Sequence, residues 1–191
     1  FAAIDLPEHT LEPAEPLPKP PLSSRPREMS VSQIETWIRD PYSIYARRIL
    51  DLNVLDPIDA DPGAAERGIV VHEALDRFIK LWPDDFPEKA YDELLRVGAE
   101  VFDEQMTNAA VRAFWWPRFE RIADWFIDNE RQKRLSGRTP LKTETSAEMT
   151  FSAPGGDFTL KARADRIDRL KDGGLAIIDY KTGGVPSKKQ M

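Results

Sequence analysis

The stretch that decides the fold runs from residue 158 to residue 181 and reads FTLKARADRIDRLKDGGLAIIDYK. Its first part alternates apolar and polar side chains, and a more apolar run follows the turn Lys171-Asp172-Gly173-Gly174. Such alternation is typical of a half-buried strand. Residues 148–153 alternate in the same way before another turn, Pro154-Gly155-Gly156-Asp157. The sequence therefore predicts a three-stranded antiparallel meander.

The chain before this meander has the three- to four-residue apolar spacing of amphipathic helices. A capping box of Ser32 and Glu35 predicts the start of one short helix, and a second resumes at Tyr42 after Asp40-Pro41. Longer helices are predicted over residues 64–82, 88–106 and 111–135. Helices followed by a meander, without an internal repeat, predict an α/β or α+β layer fold.

Residues 1–29 combine many prolines with scattered acids. Such a composition buries too little apolar area to offset the entropy of ordering, so we expect an extended linker or an arm docked on the domain surface. The folded domain is expected over residues 30–191. Because the chain opens at Phe1 and stops at Met191 soon after a predicted strand, we expect both ends to be cuts in a longer protein, with the domain incomplete at its C-terminus.

The composition excludes several kinds of site. The 191 residues include 0 cysteines, which excludes disulfides, thiolate metal sites and cysteine nucleophiles within this chain. A formal net charge of -6 argues against DNA binding through bulk positive charge, so any DNA contact depends on a local basic surface. No apolar run approaches the roughly 20 residues of a membrane span, and no signal peptide is recognisable, so we expect a cytoplasmic protein without a membrane partner.

The sequence Asp179-Tyr180-Lys181 ends the last predicted strand. Residues two apart in a strand point to the same face, so the Asp179 carboxylate and the Lys181 ammonium are expected to project together. A carboxylate beside an amine at a strand end can hold a hard divalent cation and leave the amine near an attacking water. The alternative is an exposed charge pair worth under about 1 kcal/mol.

Two further residues can converge on this pair. Asp165 lies on the preceding strand, and antiparallel neighbours about 4.8 Å apart can bring it next to Asp179. His72 is the usual nitrogen donor at a carboxylate site, and Gly68 leaves space on the same helix face. The alternatives are a solvated ion-pair face for Asp165 and a structural role for His72.

Several other polar and aromatic side chains have two possible roles. Basic residues near the predicted site either contact DNA phosphates or form a solubilising surface, and they are Arg163, Arg166, Arg169, Lys188 and Lys189. Three tryptophans either stack on single-stranded DNA or pack in the core, and helical spacing favours the core for at least two of Trp115, Trp116 and Trp125. Solvated or structural roles are favoured for three nearby acids, Glu73, Glu144 and Glu148. The alternative for Glu73 and Glu148 is a hydrogen bond that orients a metal ligand.

The chain resembles the RecB-like nucleases of the PD-(D/E)xK superfamily in an ordered series of motifs. These motifs are Gly68-x-x-x-His72, Asp165 in the sequence Ala-Asp-Arg-Ile-Asp, and Asp179-Tyr-Lys181-Thr-Gly. Residues 29–37 also look like the segment that introduces the nuclease domain of AddB-type proteins, so the resemblance extends from there to the end of the chain. It implies a restriction-endonuclease-like α/β core with a mixed sheet, preceded by a helical region.

The resemblance also implies hydrolysis of phosphodiester bonds with Mg²⁺ or Mn²⁺. By position, His72, Asp165, Asp179 and the Tyr180 backbone carbonyl would be metal ligands, and Lys181 would orient or deprotonate the attacking water. The family context implies a DNA exonuclease domain of an ATP-dependent helicase-nuclease in double-strand break repair, with DNA and an AddA-type protein as partners. Two alternatives stay open: a nuclease fold that grips DNA or a helicase without cutting, and a standalone phage-type exonuclease.

Two departures from the family pattern limit these expectations. AddB-type proteins often carry the first cysteine of an iron-sulfur cluster before a proline in the entry helix, and this chain has Asp40 before Pro41. We therefore expect no cluster here. The family's later Gln-x-x-x-Tyr helix is also absent, because Gln190 lies too near the predicted strand for that role.

Overall fold

The computed structural model describes residues 17–55, 64–106 and 108–182 of the chain. The described residues divide into two compact units, of which the first comprises residues 17–54 and 150–160 and the second comprises residues 55, 64–106, 108–149 and 161–182. Within the described residues, helices precede most of a 4-stranded sheet. The architecture is therefore mixed α/β, which confirms the predicted fold class.

The first unit is built from short elements. A 3-10 turn at Leu22–Ser24 precedes a strand, β1, at Glu28–Ser30. Two helices follow, α1 over Val31–Arg39 and α2 over Pro41–Arg48. Both helices are predicted by the apolar spacing, and Asp40 separates them as the N-cap of α2.

Helix α1 begins two residues earlier than the capping pattern predicts. The Ser30 hydroxyl accepts a hydrogen bond from the Gln33 N–H at 3.2 Å, and the Gln33 side chain accepts one from the Ser30 N–H at 3.0 Å. Ser32 and Glu35 have the same spacing, but the earlier box puts Met29 directly before the cap, where it is buried. The prediction that Ser32 is the N-cap is wrong.

Strand β1 crosses the predicted boundary between residues 29 and 30. The Thr159 N–H donates to the Arg27 carbonyl at 2.8 Å, and β1 is the neighbour of the strand that contains Thr159. The described part of the proline-rich segment thus includes a turn and most of a strand, which its composition does not predict. The division into a linker or arm and a folded domain stays a prediction.

The second unit contains three long helices, α3 over Ala64–Leu81, α4 over Ala90–Gln105 and α5 over Ala109–Leu135. These bounds confirm the helices predicted from apolar spacing. Their buried faces form one hydrophobic core. Among the described residues there is no helix with the length and apolarity to span a membrane.

The remaining strands are β2 at Thr139–Phe151, β3 at Phe158–Arg169 and β4 at Leu175–Ile178. Strand β3 has β1 and β2 as neighbours, and β4 pairs with it antiparallel. The predicted succession of three strands is confirmed. Strand β2 starts well before the predicted position at residue 148, in a polar stretch without alternation.

A buried ion network attaches β3 to α5. Arg166 donates to Glu130 at 2.7 and 2.9 Å and to Asp168 at 2.5 and 3.0 Å, and each of the three residues is 0% exposed. Burial opposes the charged forms, but the paired charges outweigh it, so the pKa of Arg166 is raised and the pKa of Glu130 is lowered. Both predicted roles of Arg166, a DNA phosphate contact and part of a solubilising surface, are wrong, because carboxylates enclose its buried guanidinium.

Candidate metal centre

Helix α3 presents His72 at the edge of its buried face. The neighbouring Val71 and Leu75 are buried in the core, whereas 26% of the His72 side chain is exposed. Its Nδ1 atom lies 3.5 Å from Oδ1 of Asp165 on β3. The fold therefore brings together an imidazole and a carboxylate from distant parts of the sequence.

Asp165 is oriented by the backbone that follows β4. Its Oδ2 atom accepts a hydrogen bond from the Tyr180 N–H at 2.6 Å, while its other oxygen faces His72. The antiparallel register pairs Arg166 with Ile178, so the chain beyond β4 runs alongside Asp165. Only 14% of the Asp165 side chain is exposed, and these two contacts fix the direction of a carboxylate that is largely removed from water.

Glu144 of β2 supplies a third donor, although the sequence predicts only a solvated or structural role for it. One donor atom from each of His72, Glu144 and Asp165 lies within 4.8 Å of the other two. Glu144 has a φ of 47°, so the strand is locally irregular at this residue. Its side chain is 20% exposed, which matches the partial burial of the other two donors. The structure thus adds Glu144 to the candidate site.

Asp179 and Lys181 form an ion pair with each other just beyond β4. Their side chains are 55% and 64% exposed, respectively, so solvent screens the pair. In the part of the chain that the structure describes, Asp179 does not belong to the group of donors within 4.8 Å. The predicted residues therefore form two pairs, His72 with Asp165 and Asp179 with Lys181. Tyr180 lies between Asp179 and Lys181 in the sequence, and its N–H binds Asp165 of the other pair.

The Tyr180 side chain turns into the hydrophobic core. Its ring meets the rings of Phe126 and His72 edge-on, with 5.9 Å between centroids in both cases. Burial raises the pKa of Tyr180 to about 12 against the opposing charge of Arg166, so the phenol is neutral near pH 7. This packing anchors the backbone N–H that orients Asp165. The role of the Tyr180 carbonyl as a metal ligand stays a prediction.

The three clustered donors fit a hard divalent cation. Two carboxylates and one imidazole are donors that Mg²⁺ and Mn²⁺ accept. Two partly buried carboxylates repel each other unless positive charge is nearby, and Arg163, 2.6 Å from Glu144, supplies one such charge. A divalent cation between the donors would supply two more. His72, Glu144 and Asp165 are therefore the described residues that would hold the metal.

The predicted DNA contacts are only partly within the described residues. Arg163 pairs with Glu144, yet 68% of its side chain is exposed and accessible to a phosphate. Arg169 ends β3 and is exposed. Lys188 and Lys189 lie outside the described residues. Phosphate contacts by these four residues stay predictions.

The candidate metal centre lies in a region that matches a known protein family. The model of the PD-(D/E)XK nuclease superfamily matches residues 28–191. The chain belongs to this superfamily. The PD-(D/E)XK match begins at β1 and includes every described residue of the candidate metal centre.

Proteins similar to this chain are much longer than it is. A Rickettsia felis protein named "Uncharacterized protein" is 30% identical over 174 residues, which are 88% of this chain and 20% of the relative. An ATP-dependent helicase/deoxyribonuclease component of Lactococcus lactis subsp. cremoris is 25% identical over 172 residues, 84% of this chain and 15% of the relative. Its Enterococcus faecalis counterpart is 26% identical over 190 residues, 85% and 16% respectively. The chain spans 20% or less of the length of these relatives.

Proposed function

We propose that this chain hydrolyses DNA phosphodiester bonds with Mg²⁺ or Mn²⁺, as the exonuclease domain of an ATP-dependent helicase-nuclease in double-strand break repair. The observation that carries the proposal is the convergence of His72, Glu144 and Asp165 from three elements, next to the pair of Asp179 and Lys181. Metal-dependent hydrolysis needs no side-chain nucleophile, and the chain has 0 cysteines to serve as one.

His72, Glu144 and Asp165 are proposed to hold the cation, and Asp179 and the Tyr180 carbonyl to complete the ligand set. A bound divalent cation would neutralise charge on the phosphate oxygens and lower the pKa of a water molecule. The Tyr180 N–H keeps Asp165 turned toward His72, so the Asp165 carboxylate is oriented before DNA binds. This preorganisation removes a reorganisation cost from the chemical step.

Lys181 is proposed to act on the attacking water and the scissile phosphate. Its side chain is 64% exposed, so a substrate can reach the ammonium. An ammonium donates hydrogen bonds to charge that grows on the phosphate in the transition state. Before substrate binds, the ion pair with Asp179 holds Lys181 at the end of β4, one residue from the N–H that binds Asp165.

A cleavage assay tests this proposal. The purified full-length protein is incubated with labelled single-stranded DNA and Mg²⁺, beside the variants Asp165→Asn and Lys181→Ala. We expect each substitution to lower kcat by about 100-fold or more, because each removes a group that acts in the transition state. Glu148→Gln and Lys142→Ala are the matched controls, since they make the same charge changes at exposed positions of β2.

Two outcomes would overturn the nuclease proposal. One is activity of Asp165→Asn and Lys181→Ala equal to that of the controls. The other is Mn²⁺ binding that depends on Asp165 but is accompanied by no DNA cleavage. The second outcome would leave a nuclease fold that binds DNA or a helicase without cutting.

The helicase-nuclease context is supported by the names of the relatives. The Lactococcus lactis and Enterococcus faecalis proteins are both named as components of an ATP-dependent helicase/deoxyribonuclease. We propose that this chain likewise works beside an AddA-type helicase-nuclease protein in the cytoplasm. Copurification of the full-length protein with that partner from the native host tests this association.

A further inference from the structure

Three arginines and an exposed tryptophan surround a pocket beside the candidate metal centre. Arg67 comes from α3, Arg118 and Arg121 come from α5, and with Trp125 and Thr182 they line a pocket of about 280 Å³. We call this the arginine pocket. None of the proposed metal or water-activating residues lines it, so its composition needs another explanation.

Aromatic rings hold two of the three guanidinium groups. The Arg67 Cζ atom lies 4.6 Å from the centroid of the Trp115 ring, and the Arg118 Cζ atom lies 4.7 Å from that ring. Arg118 also lies 4.0 Å from the centroid of the Phe114 ring. Stacking uses the flat face of a guanidinium and leaves its edge donors directed outward. The rings therefore preorganise cations for hydrogen bonding to a ligand.

The arginine pocket has an excess of positive charge. Within the residues that the structure describes, none of its three arginines has a carboxylate ion-pair partner, although Arg67 donates to the Thr182 carbonyl at 3.2 Å. Arg118 donates to the Phe114 carbonyl of its own helix, at 3.4 Å. Three such cations at one pocket stand out in a chain of net charge -6. Such a local basic surface attracts a polyanion despite the overall negative charge.

Trp125 gives the arginine pocket an exposed aromatic face. This residue is 61% exposed, although it is a large apolar side chain. Trp115 and Trp116 are instead partly buried and pack against the hydrophobic core, as helical spacing predicts for at least two of the three tryptophans. An exposed ring next to cations is the arrangement that binds unpaired nucleotides, because bases stack on the ring while cations contact phosphates.

The arginine pocket adjoins the residues proposed for catalysis. Thr182 directly follows Lys181, and Arg67 directly precedes Gly68, one helical turn before His72. A Cβ atom at Gly68 would lie 3.4 Å from the Thr182 hydroxyl oxygen, so α3 and the chain after Lys181 are in close approach. A strand bound in the arginine pocket would therefore lie beside the Lys181 ammonium.

We infer that the arginine pocket binds a single strand of DNA next to the scissile phosphodiester. Arg67, Arg118 and Arg121 contact successive phosphates, and Trp125 stacks on one base. The location of the scissile bond rests on the proposed function, but the binding itself needs no metal. A duplex binds more weakly, because its paired and stacked bases offer no face to Trp125.

Fluorescence anisotropy measures this binding without cleavage. Full-length protein is titrated into a short fluorescein-labelled oligothymidylate in EDTA, at several salt concentrations. We expect Arg118→Ala/Arg121→Ala to weaken binding and to reduce the slope of log K against log salt by about 1.4, since each phosphate contact on a single strand contributes about 0.7. The matched control is Arg96→Ala/Arg131→Ala, which removes two half-exposed arginines outside the pocket and has the same net charge.

The base contact is tested by a second pair of variants. We expect Trp125→Ala to weaken oligothymidylate binding by roughly 5-fold to more than 100-fold, and Trp125→Phe to retain part of the affinity. Trp37→Ala is the matched control, because Trp37 is 51% exposed, lies on α1 and does not line the arginine pocket. A fully paired duplex of the same length should bind more weakly and be insensitive to Trp125→Ala.

The results separate this inference from the proposed nuclease activity. Oligothymidylate binding that depends on Arg118, Arg121 and Trp125 supports the arginine pocket even if no DNA is cleaved. Conversely, the inference is overturned if the pocket variants bind as tightly as their controls, or if duplex binds as tightly as the single strand. Cleavage that depends on Asp165 in that case would leave the nuclease proposal intact.

Discussion

Gly98 in α4 leaves space for an aromatic ring of α5. A Cβ atom at this position would lie only 2.1 Å from Cε1 of Phe119, which is 1% exposed within the core. The ring cannot move without disturbing close packing. We predict that Gly98→Ala lowers the free energy of unfolding by about 1–3 kcal/mol, because overpacking outweighs the gain in helix propensity. Urea unfolding followed by circular dichroism measures this change.

Gly68 in α3 offers a matched control for Gly98. A Cβ atom here would make an ordinary contact, 3.4 Å from the Thr182 hydroxyl oxygen. The same substitution, Gly68→Ala, should therefore leave stability unchanged or raise it by up to about 1 kcal/mol through helix propensity. If both variants lost the same free energy, the close approach of Phe119 to Gly98 would not be the cause.

The residues of the candidate site differ in how far the sequence predicts them. The family resemblance implies that His72 and Asp165 share a site, and in the structure their Nδ1 and Oδ1 atoms lie 3.5 Å apart. Asp179 and Lys181 project together as expected, but they pair with each other. The sequence does not predict Glu144 as a metal ligand. Its position in the site depends on β2 extending back to Thr139 and on the irregular backbone at Glu144 itself. If β2 had been predicted to begin earlier, Glu144 would have been recognised as an acid on the strand next to Asp165.

At the scale of elements, the ion network between α5 and β3 fixes the strand that carries Asp165. Glu130 accepts hydrogen bonds from Arg166 and from Arg134, at 2.8 Å in the latter case. Glu130→Gln would leave a buried guanidinium incompletely compensated, and we predict a loss of about 3–5 kcal/mol in the free energy of unfolding. Glu100→Gln, at a 53% exposed ion pair on α4, should cost under about 1 kcal/mol in the same denaturation assay.

The same network has a defined pH dependence. Burial would raise the pKa of Glu130, but Arg166 and Arg134 outweigh that effect and hold it below the ordinary value. Its stabilisation is therefore present above the unfolded pKa of about 4.3 and is lost as the pH falls through the lower folded pKa. The difference in stability between the wild type and Glu130→Gln should be largest near neutral pH and shrink in acid. A difference that stays constant across this range would contradict the assignment.

A helix or strand can be predicted from the sequence where the burial of one face makes apolar residues recur at a regular spacing. Helices α3, α4 and α5 each bury one face in the core, so their apolar spacing identifies them. The N-terminal part of β2 has no such signal, since no residue of that strand is buried. Strand β1 also lacks a sequence signal, because only Met29 of its three residues is buried and a proline-rich stretch precedes it. Hydrogen bonding to β3, a tertiary effect, determines these two strands.

At the scale of the molecule, the candidate site depends on three elements that are separate in sequence. Helix α3 carries His72, β2 carries Glu144 and β3 carries Asp165, and all three belong to the second compact unit. Unfolding would disperse these donors, because none of them is close to another along the chain. A cation that binds only the assembled site must therefore stabilise the folded state by mass action.

We predict that Mn²⁺ or Mg²⁺ raises the Tm of the protein in a manner that depends on these three donors. At a concentration about 100 times the Kd, binding contributes about 2.7 kcal/mol, which corresponds to roughly 5–10 °C for a chain of this size. His72→Ala should abolish the increase because it removes a donor atom, and Asp165→Asn should abolish it because it removes a negative charge that a hard cation needs. Glu144→Gln should reduce the increase for the same reason. Differential scanning fluorimetry with and without metal measures the shift.

The control is Glu148→Gln, which replaces an exposed acid on the same strand as Glu144 and should retain the full increase. An undiminished increase in Asp165→Asn would mean that the metal binds elsewhere, since its carboxylate is the donor that both His72 and the Tyr180 N–H hold in place.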